Sequence, residues 1–383
     1  MNPFLKKALI LGIFISTESG AGLWAQEPLS SQDAELNNRG VKAAQAGRFE
    51  EGVALLQKAL LLDSADSLIQ KNLSQILTDW GSWFYQHGER VQAQKRLEEA
   101  LRHDPENTSA LLLLGNLLYL NQGDLSRVTD LWKRALEGMA APRRAALLER
   151  IFQAQRDLAV ERGFAGLETE HFRIRFEQPE VHPGAASLGA LLEREYDRLA
   201  RALEVEPSPI GVIVYGPGTF HRVIGRKDWA LGLYDGRIRL RVEDAGTERS
   251  GPILAHELAH AFLAQTYGPR IPIWVHEGFA QHSEGEPLLT DPQRARMEGI
   301  RSRTSWVPLN WLDRRFEQPS SREDLERAYL QARWMVNSLI QRHGMERFRR
   351  FLERLSAGER VEPAFNRSFA PLSWSRVERG ILE

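Results

Sequence analysis

Residues 255–262 read AHELAHAF, and they decide how the second half of this sequence folds. Ser250 can cap a helix, Pro252 suits a first helical turn, and Gly268 suits a stop. The stretch therefore lies inside one predicted helix of about four turns. Leu258 and the apolar residues around it predict that this helix is buried.

Two histidines of this helix, His256 and His260, form the pattern H-E-x-x-H with Glu257. Four residues span just over one turn, so both histidines project from the same face and can reach one metal ion. Glu257 is displaced around the helix, where it can contact a water at the metal without ligating. The alternative is a core helix that carries two surface histidines.

A second segment offers the third protein ligand that a catalytic zinc site needs. Residues 273–280 read IWVHEGFA and predict a new helix that carries Glu277. Its neighbour His276 is an alternative ligand. Gln281 and His282 lie one turn beyond, where partners that orient metal ligands often occur. The chain has no cysteine, so any metal must be bound by histidine and carboxylate.

Together the two segments resemble the gluzincin branch of metallopeptidases, in particular the bacterial peptidase-MA-like domains. That family pairs H-E-x-x-H with W-x-x-E-G-x-A, and the second pattern is matched by Trp274, Glu277, Gly278 and Ala280. The resemblance extends over about residues 171–383. It implies a thermolysin-like peptidase domain, a small mixed sheet plus helices, which we place at residues 164–383.

The resemblance also implies the roles of individual residues. One zinc ion would be held by three ligands: His256, His260 and Glu277. Glu257 would act as general base, taking a proton from the attacking water and returning it to the leaving amine. Tyr329 is the donor that the family suggests for the oxyanion, although a tyrosine in a helix is alternatively a core or rim residue.

Small residues recur between residues 33 and 140 at the spacing of a helical repeat. Gly40, Gly47 and Ala59 are followed by Gly81, Gly88 and Ala100, and then by Gly115, Gly123 and Ala135. The last step of about 34 residues is the period of tetratricopeptide (TPR) repeats, which this region resembles. Extra residues around 68–74 are expected to lengthen one helix. The repeats either bind a protein partner or form an array of helical hairpins that only packs on its neighbour.

The helical pattern continues through residues 141–163, which we predict to cap the repeats and connect them to the next domain. An apolar stripe runs along this helix: Leu147, Leu148, Ile151, Phe152 and Leu158. Gly163 marks the predicted boundary. An all-α repeat region is thus expected to precede the peptidase-like domain.

Beyond Gly163 the sequence predicts strands as well as helices, and hence an α+β fold. Strands are predicted at 171–176 and 210–215, with a helix at 188–203 between them. Asp235-Gly236 suits a type I′ hairpin turn between strands at 231–234 and 238–242. Helices are predicted at 251–267, 272–283, 322–342 and 345–356.

The N-terminus has the layout of a secretory signal peptide, predicted at residues 1–25. Lys6 and Lys7 precede a short apolar run, and cleavage is expected after Ala25. The protein is therefore expected to be exported, to a bacterial periplasm or outside the cell, without an integral membrane segment after signal removal. The 50 basic and 51 acidic residues cancel almost completely, which argues against nucleic-acid binding.

The sequence thus predicts an exported zinc metallopeptidase that acts on peptide or protein substrates. No motif for binding a substrate's N-terminal amine is recognisable, which favours an endopeptidase over an aminopeptidase. The rival hypothesis is a TPR scaffold whose peptidase-like domain binds a partner or a peptide without turnover.

Overall fold

The computed structural model describes residues 31–120, 124–177, 184–207, 209–216, 218–224, 232–244, 250–285, 297, 299 and 306–379. The predicted signal peptide and Leu231, at the start of the predicted hairpin, lie outside these ranges. The chain forms two compact units that divide between Arg162 and Gly163. In the described ranges, no helix is both long enough and apolar enough to cross a membrane.

The first unit is helical throughout its described part. Its helices are α1 (Gln32–Gln45), α2 (Phe49–Leu62), α3 (Ser67–Gln86), α4 (Arg90–His103), α5 (Thr108–Leu120), α6 (Leu125–Glu137) and α7 (Ala141–Glu161). α1 packs on α2, α3 on α4 and α5 on α6, so three helical hairpins follow one another. α3 has 20 residues and α1 has 14, and the additional length lies where the sequence predicts a longer helix.

Glycines lie where the two helices of each hairpin approach closely. A Cβ atom added to Gly81 would lie 2.9 Å from Leu97, and one added to Gly115 would lie 2.5 Å from Trp132. Gly40 stands in the same relation to Leu56. Because these distances are shorter than ordinary Cβ contacts, a larger residue would force the neighbouring side chain or helix to shift, which explains why glycine recurs at these positions.

Helix α7 differs from the predicted apolar stripe at one residue. Leu147 and Ile151 are buried, but Phe152 is 51% exposed. A polar residue, Asp157, is buried instead, and its carboxylate accepts a hydrogen bond from the Tyr119 hydroxyl at 3.3 Å. The buried face of α7 therefore includes the hydrogen-bonded Asp157 carboxylate and leaves out Phe152, which differs from the predicted apolar stripe.

The second unit contains a mixed sheet with the strand order β1-β2-β3-β5-β4 in its described part. The strands are β1 (Ala165–Glu168), β2 (Phe172–Phe176), β3 (Ile210–Tyr215), β4 (Gly232–Tyr234) and β5 (Ile238–Arg241). β2, β3 and β5 run parallel, while β1 and β4 pair antiparallel at the two edges. The predicted α+β class is confirmed, although β1 was not predicted.

The β4–β5 hairpin does not have the predicted type I′ turn. Tyr234 pairs with Ile238, which leaves three residues in the loop. Gly236 has a φ of 103°, whereas Asp235 has no positive φ, and a type I′ turn requires positive φ at both central residues. The Asp235 carboxylate instead accepts a hydrogen bond from the buried Arg239 guanidinium at 2.8 Å. This ion pair holds the wider loop.

Helices make up the rest of the described second unit. They are α8 (Gly184–Leu203), α9 (Thr219–Ile224), α10 (Ser250–Thr266), α11 (Ile273–Ser283), α12 (Leu309–Glu317), α13 (Arg322–Ser356), α14 (Val361–Phe369) and α15 (Trp374–Val377). The backbone of α13 leaves helical geometry at Gly344, where φ is 83°. The break falls between the two segments that the sequence predicts as separate helices.

The core of the second unit joins one face of the sheet to helices α8, α10, α11 and α13. Ile174 and Val212 of the sheet belong to it, with Phe262 of α10 and Phe279 of α11. α10 packs on both α11 and β4, and α11 packs on α13. The two helices that carry the predicted metal ligands are thus fixed against each other and against the sheet edge.

Candidate metal centre

The side chains of His256 and His260 lie beside each other on the buried face of α10. They are 4% and 1% exposed, and their Nε2 atoms are 3.2 Å apart. The spacing of one helical turn, which the sequence shows, produces this arrangement. Both nitrogens therefore point at one location between α10 and α11.

Glu277 brings a carboxylate to the same location from α11. Its Oε2 lies 3.9 Å from Nε2 of His256 and 3.9 Å from Nε2 of His260. A triangle with sides of 3.2, 3.9 and 3.9 Å has a centre about 2.1 Å from each corner, the usual length of zinc–imidazole and zinc–carboxylate bonds. The three atoms therefore fit one zinc-sized cation.

His276, the alternative ligand, lies outside this group. In the described parts of the chain, ligand atoms of three side chains lie within 4.8 Å of one another in two groups: His256, His260 and Glu277, all buried, and Asp33, Asp63 and Asp66 in the first unit. The ring of His276 lies beside that of His260, with 5.9 Å between centres. Burial lowers the pKa of His276 to about 3. Glu277 is thus the side chain that faces the two histidines.

Burial also sets the protonation of the second histidine. Loss of solvent, followed by the charges of His256 and His276, lowers the pKa of His260 well below its usual value. His260 is therefore neutral at pH 7, and a metal ligand must be a neutral imidazole. Its Nδ1 atom is buried and has no hydrogen-bond partner among the described residues.

Glu257 is buried against the edge strand β4. The backbone N–H of Tyr234 donates to its carboxylate, and a Cβ atom added to Gly232 would lie 3.0 Å from its Oε1. Burial and then the charges of Glu284 and Asp235 raise the pKa of Glu257 well above its usual value, while the Tyr234 N–H acts in the opposite direction. A carboxyl group with a raised pKa suits proton transfer near neutral pH.

Tyr329 of α13 lies near both carboxylates of the site. Burial, followed by the charges of Glu277 and Glu257, raises the pKa of its phenol well above the usual value. The hydroxyl therefore keeps its proton at neutral pH and can donate a hydrogen bond. The ring also packs edge-on against Phe316, with 5.1 Å between centres. Both predicted roles, a donor at the site and a packed ring, fit this position.

The residues one turn beyond Glu277 face α13. Gln281 donates its side-chain amide to the backbone oxygens of Glu277 and Tyr329, at 3.3 and 3.1 Å. Nδ1 of His282 lies 2.6 Å from Oδ1 of Asn337. These contacts tie α11 to α13.

The Glu284 carboxylate lies within hydrogen-bond distance of one histidine of the metal centre. Its Oε1 lies 2.8 Å from Nδ1 of His256. The sequence reasoning missed Glu284, although it lies about two helical turns after Glu277 and keeps a helical backbone at the end of α11, so helical spacing places both on the same face. A search for acidic residues just beyond the helix end would have found it.

Asp313 of α12 holds the first turn of α11, and it was also missed. Its Oδ1 accepts a hydrogen bond from the Trp274 N–H at 2.9 Å, and the Ile273 N–H donates to it as well. The start of a helix leaves such N–H groups without intrahelical partners. Burial raises the pKa of Asp313 to about 6. The helix that carries Glu277 therefore depends on a titratable cap.

We expect this cap to make stability depend on pH. Because the pKa of Asp313 is higher in the folded chain than its unfolded value of 3.8, the unfolded chain loses its proton first as the pH rises. From pH 4 to pH 7 the wild type should therefore lose about 1–3 kcal/mol of unfolding free energy relative to Asp313→Asn. Denaturant unfolding of the metal-free second unit at both pH values measures the difference. Asp197→Asn, which changes an exposed aspartate, is the control. If the unfolding free energies of the wild type and Asp313→Asn differ by the same amount at both pH values, the expectation is contradicted.

Comparison with known protein families and curated proteins identified no relative of this chain. No model of a known protein family matches the chain, and no curated protein is significantly similar to it. The resemblance to gluzincin metallopeptidases therefore rests on the two sequence motifs, and the geometry of the centre is independent of it. That geometry consists of two imidazoles and one carboxylate facing a single point, with a second carboxylate beside them.

Proposed function

We propose that this chain is a zinc-dependent peptidase, with one zinc ion bound by His256, His260 and Glu277. One observation carries the proposal: three buried ligand atoms from two helices lie about 2.1 Å from a common centre. Burying ionisable groups together is costly unless they are paired or coordinate a metal. A bound cation supplies that compensation.

The ligand set favours zinc and a catalytic site. Imidazole and carboxylate are common zinc ligands, and three protein ligands leave the fourth position open for water or substrate. Zinc bound in this way lowers the pKa of its water from about 15.7 toward about 7 and polarises a carbonyl oxygen.

Glu257 is the general base of the proposed reaction. Its carboxylate accepts the proton of the attacking water and then passes that proton to the leaving amine. The Tyr234 N–H and the narrow space above Gly232 fix where the carboxylate lies. Tyr329 is the proposed hydrogen-bond donor to the oxygen on which negative charge develops.

The substrate proposal rests on the position of β4. Within the described part of the chain this strand is at the edge of the sheet and packs on α10, and we propose that an extended peptide adds to it as a further strand. We propose that the chain is exported and that it cleaves peptides at internal bonds. The helical hairpins of the first unit would recruit a substrate or a partner protein.

A peptide-library assay on the purified mature chain tests the proposed activity. We expect cleavage that stops when 1,10-phenanthroline removes the metal and returns when Zn²⁺ is added. A folded chain that binds one zinc per molecule but cleaves no peptide would support the rival hypothesis of a binding scaffold. A folded chain that takes up no zinc would overturn the proposal.

Gly232→Ala should impair catalysis without removing the metal. The new Cβ would lie 3.0 to 3.1 Å from Oε1 and Cγ of Glu257, so the carboxylate must shift by a few tenths of an ångström. Because small displacements of a catalytic group are costly, we expect kcat/KM to fall about 3- to 30-fold. The matched control is Gly251→Ala at the start of α10, where a Cβ meets no atom within 4 Å. Equal kcat/KM values for the two variants would show that Gly232 does not fix the base.

A further inference from the structure

A buried ion pair in the β4–β5 hairpin lies next to the strand that contacts Glu257. Nε of Arg239 donates to Oδ2 of Asp235 at 2.8 Å, and the two side chains are 0% and 11% exposed. Nη1 of the same arginine donates to the Tyr215 hydroxyl on β3. One guanidinium therefore joins the hairpin loop to the central strand of the sheet.

The Arg239 side chain lies on the face of the sheet that is turned away from the core. Ile238 and Leu240 of β5 belong to the core, and neighbouring residues of a strand point to opposite faces. Arg239, between them, therefore points to the other face, whereas α10 packs on the core side. Neither member of the ion pair supplies one of the three ligand atoms of the metal centre.

The ion pair contributes direction more than stability. Removing two charges from water costs free energy comparable with their attraction, and apolar replacements of such pairs are often neutral or stabilising. A guanidinium, however, is planar and donates along fixed lines. The ion pair therefore fixes where Asp235 lies relative to β5 and β3.

The strand before this loop is short, so its register depends on the loop. β4 has three residues, Gly232–Tyr234, and in the described part of the chain it pairs with β5 alone. The register of a hairpin is set by its turn, and a slip by one residue turns every side chain to the other face. Such a slip would also move the Tyr234 N–H, which donates to the Glu257 carboxylate. Because Asp235 directly follows Tyr234, the ion pair holds the end of β4 that meets Glu257.

We propose that Asp235 and Arg239 are positioning residues for the general base: their ion pair fixes the register of β4 and thereby the Tyr234 N–H that holds Glu257. The inference rests on the proposed peptidase function, and it adds two residues that lie outside both sequence motifs. It predicts that loss of the ion pair slows catalysis even where stability and zinc binding are unchanged.

The decisive variant of the full mature chain combines Asp235→Leu with Arg239→Met. Apolar residues of similar size can keep the fold without the directed hydrogen bonds, so we expect wild-type zinc content and wild-type stability in denaturant. Because small displacements of a catalytic group are costly, kcat on a cleaved library peptide should fall about 10- to 100-fold. Hydrogen exchange at the Tyr234 amide should become at least about tenfold faster, since the strand is no longer held.

Two further variants separate position from charge and from the general loss of an ion pair. Asp235→Asn removes the negative charge and keeps an oxygen that can accept the Arg239 Nε–H, so kcat should stay within about threefold of the wild type. Glu346→Ala breaks an exposed ion pair with Arg350 that has the same four-residue spacing. It should keep the wild-type kcat.

The outcomes separate the inference from the proposed function. If the wild type cleaves peptides and the double variant keeps both its kcat and its exchange rate at Tyr234, the ion pair does not position the base, although the proposed function stands. If a folded Asp235→Asn loses as much kcat as the double variant, the charge is the cause and the inference fails.

Should the double variant not fold, Tyr215→Phe takes its place, because it removes only one hydrogen-bond partner of Arg239. We then expect kcat to fall about 2- to 5-fold, and an unchanged kcat would contradict the inference. A folded wild type that binds no zinc and cleaves no peptide would overturn the proposed function, and the inference with it.

Discussion

Replacing Glu257 by glutamine should abolish peptide hydrolysis and leave zinc bound. Glu257 supplies none of the three ligand atoms that face the common centre. Its replacement therefore leaves the side chains of His256, His260 and Glu277 in place. Glutamine has nearly the same size, and its side-chain oxygen can still accept the Tyr234 N–H. It cannot, however, accept a proton from water and return it to an amine.

The expected loss follows from the contribution of general acid–base catalysis. Such groups contribute about 10²- to 10⁴-fold to the rate, so kcat should fall by that factor. We would measure kcat on a cleaved library peptide and zinc per chain on the same preparation. Glu243→Gln, an exposed residue that follows β5, is the control. Turnover by the Glu257 variant at the wild-type rate would exclude Glu257 as the base.

Replacing His260 by alanine should remove both the zinc and the activity. The remaining pair, His256 and Glu277, offers two of the three protein ligands that catalytic zinc sites use. We expect zinc to fall from about one per chain to less than about 0.1 after dialysis, and cleavage to fall to background. Elemental mass spectrometry of the dialysed proteins gives the zinc content.

His276→Gln is the matched control for this variant. His276 is as buried as His260 and its ring lies against it, but it is outside the group of ligand atoms. The variant should therefore keep about one zinc per chain. Zinc retained in His260→Ala, or lost in a folded His276→Gln, would mean that the ligands are assigned to the wrong side chains.

Local sequence signals predicted the elements that carry the centre. Capping and stop residues near its two ends predicted helix α10. Its two histidines share a face because their spacing is close to one helical turn. The break in α13 at Gly344 falls between two segments that were predicted as separate helices. Such features depend on neighbouring residues, so they can be read without knowing the fold.

The parts that sequence did not predict depend on contacts between distant segments. Asp313 caps α11 from 39 positions away, and Glu284 reaches His256 across 28 positions. The turn at Asp235 differs from its usual type because a buried arginine binds the aspartate. Gln281, one turn after Glu277, donates to the backbone oxygen of Tyr329 on α13, a partner that periodicity could not predict. Each of these misses concerns a polar group whose partner is set by the fold.

The proposed zinc site can be tested by an anomalous diffraction map of crystals of the mature chain, collected on both sides of the zinc absorption edge. We expect a single strong peak about 2.0–2.2 Å from His256 Nε2, His260 Nε2 and a Glu277 oxygen, with no fourth protein ligand. A well-ordered centre without a peak in zinc-supplemented crystals, or a peak bound by other residues, would contradict the proposed site.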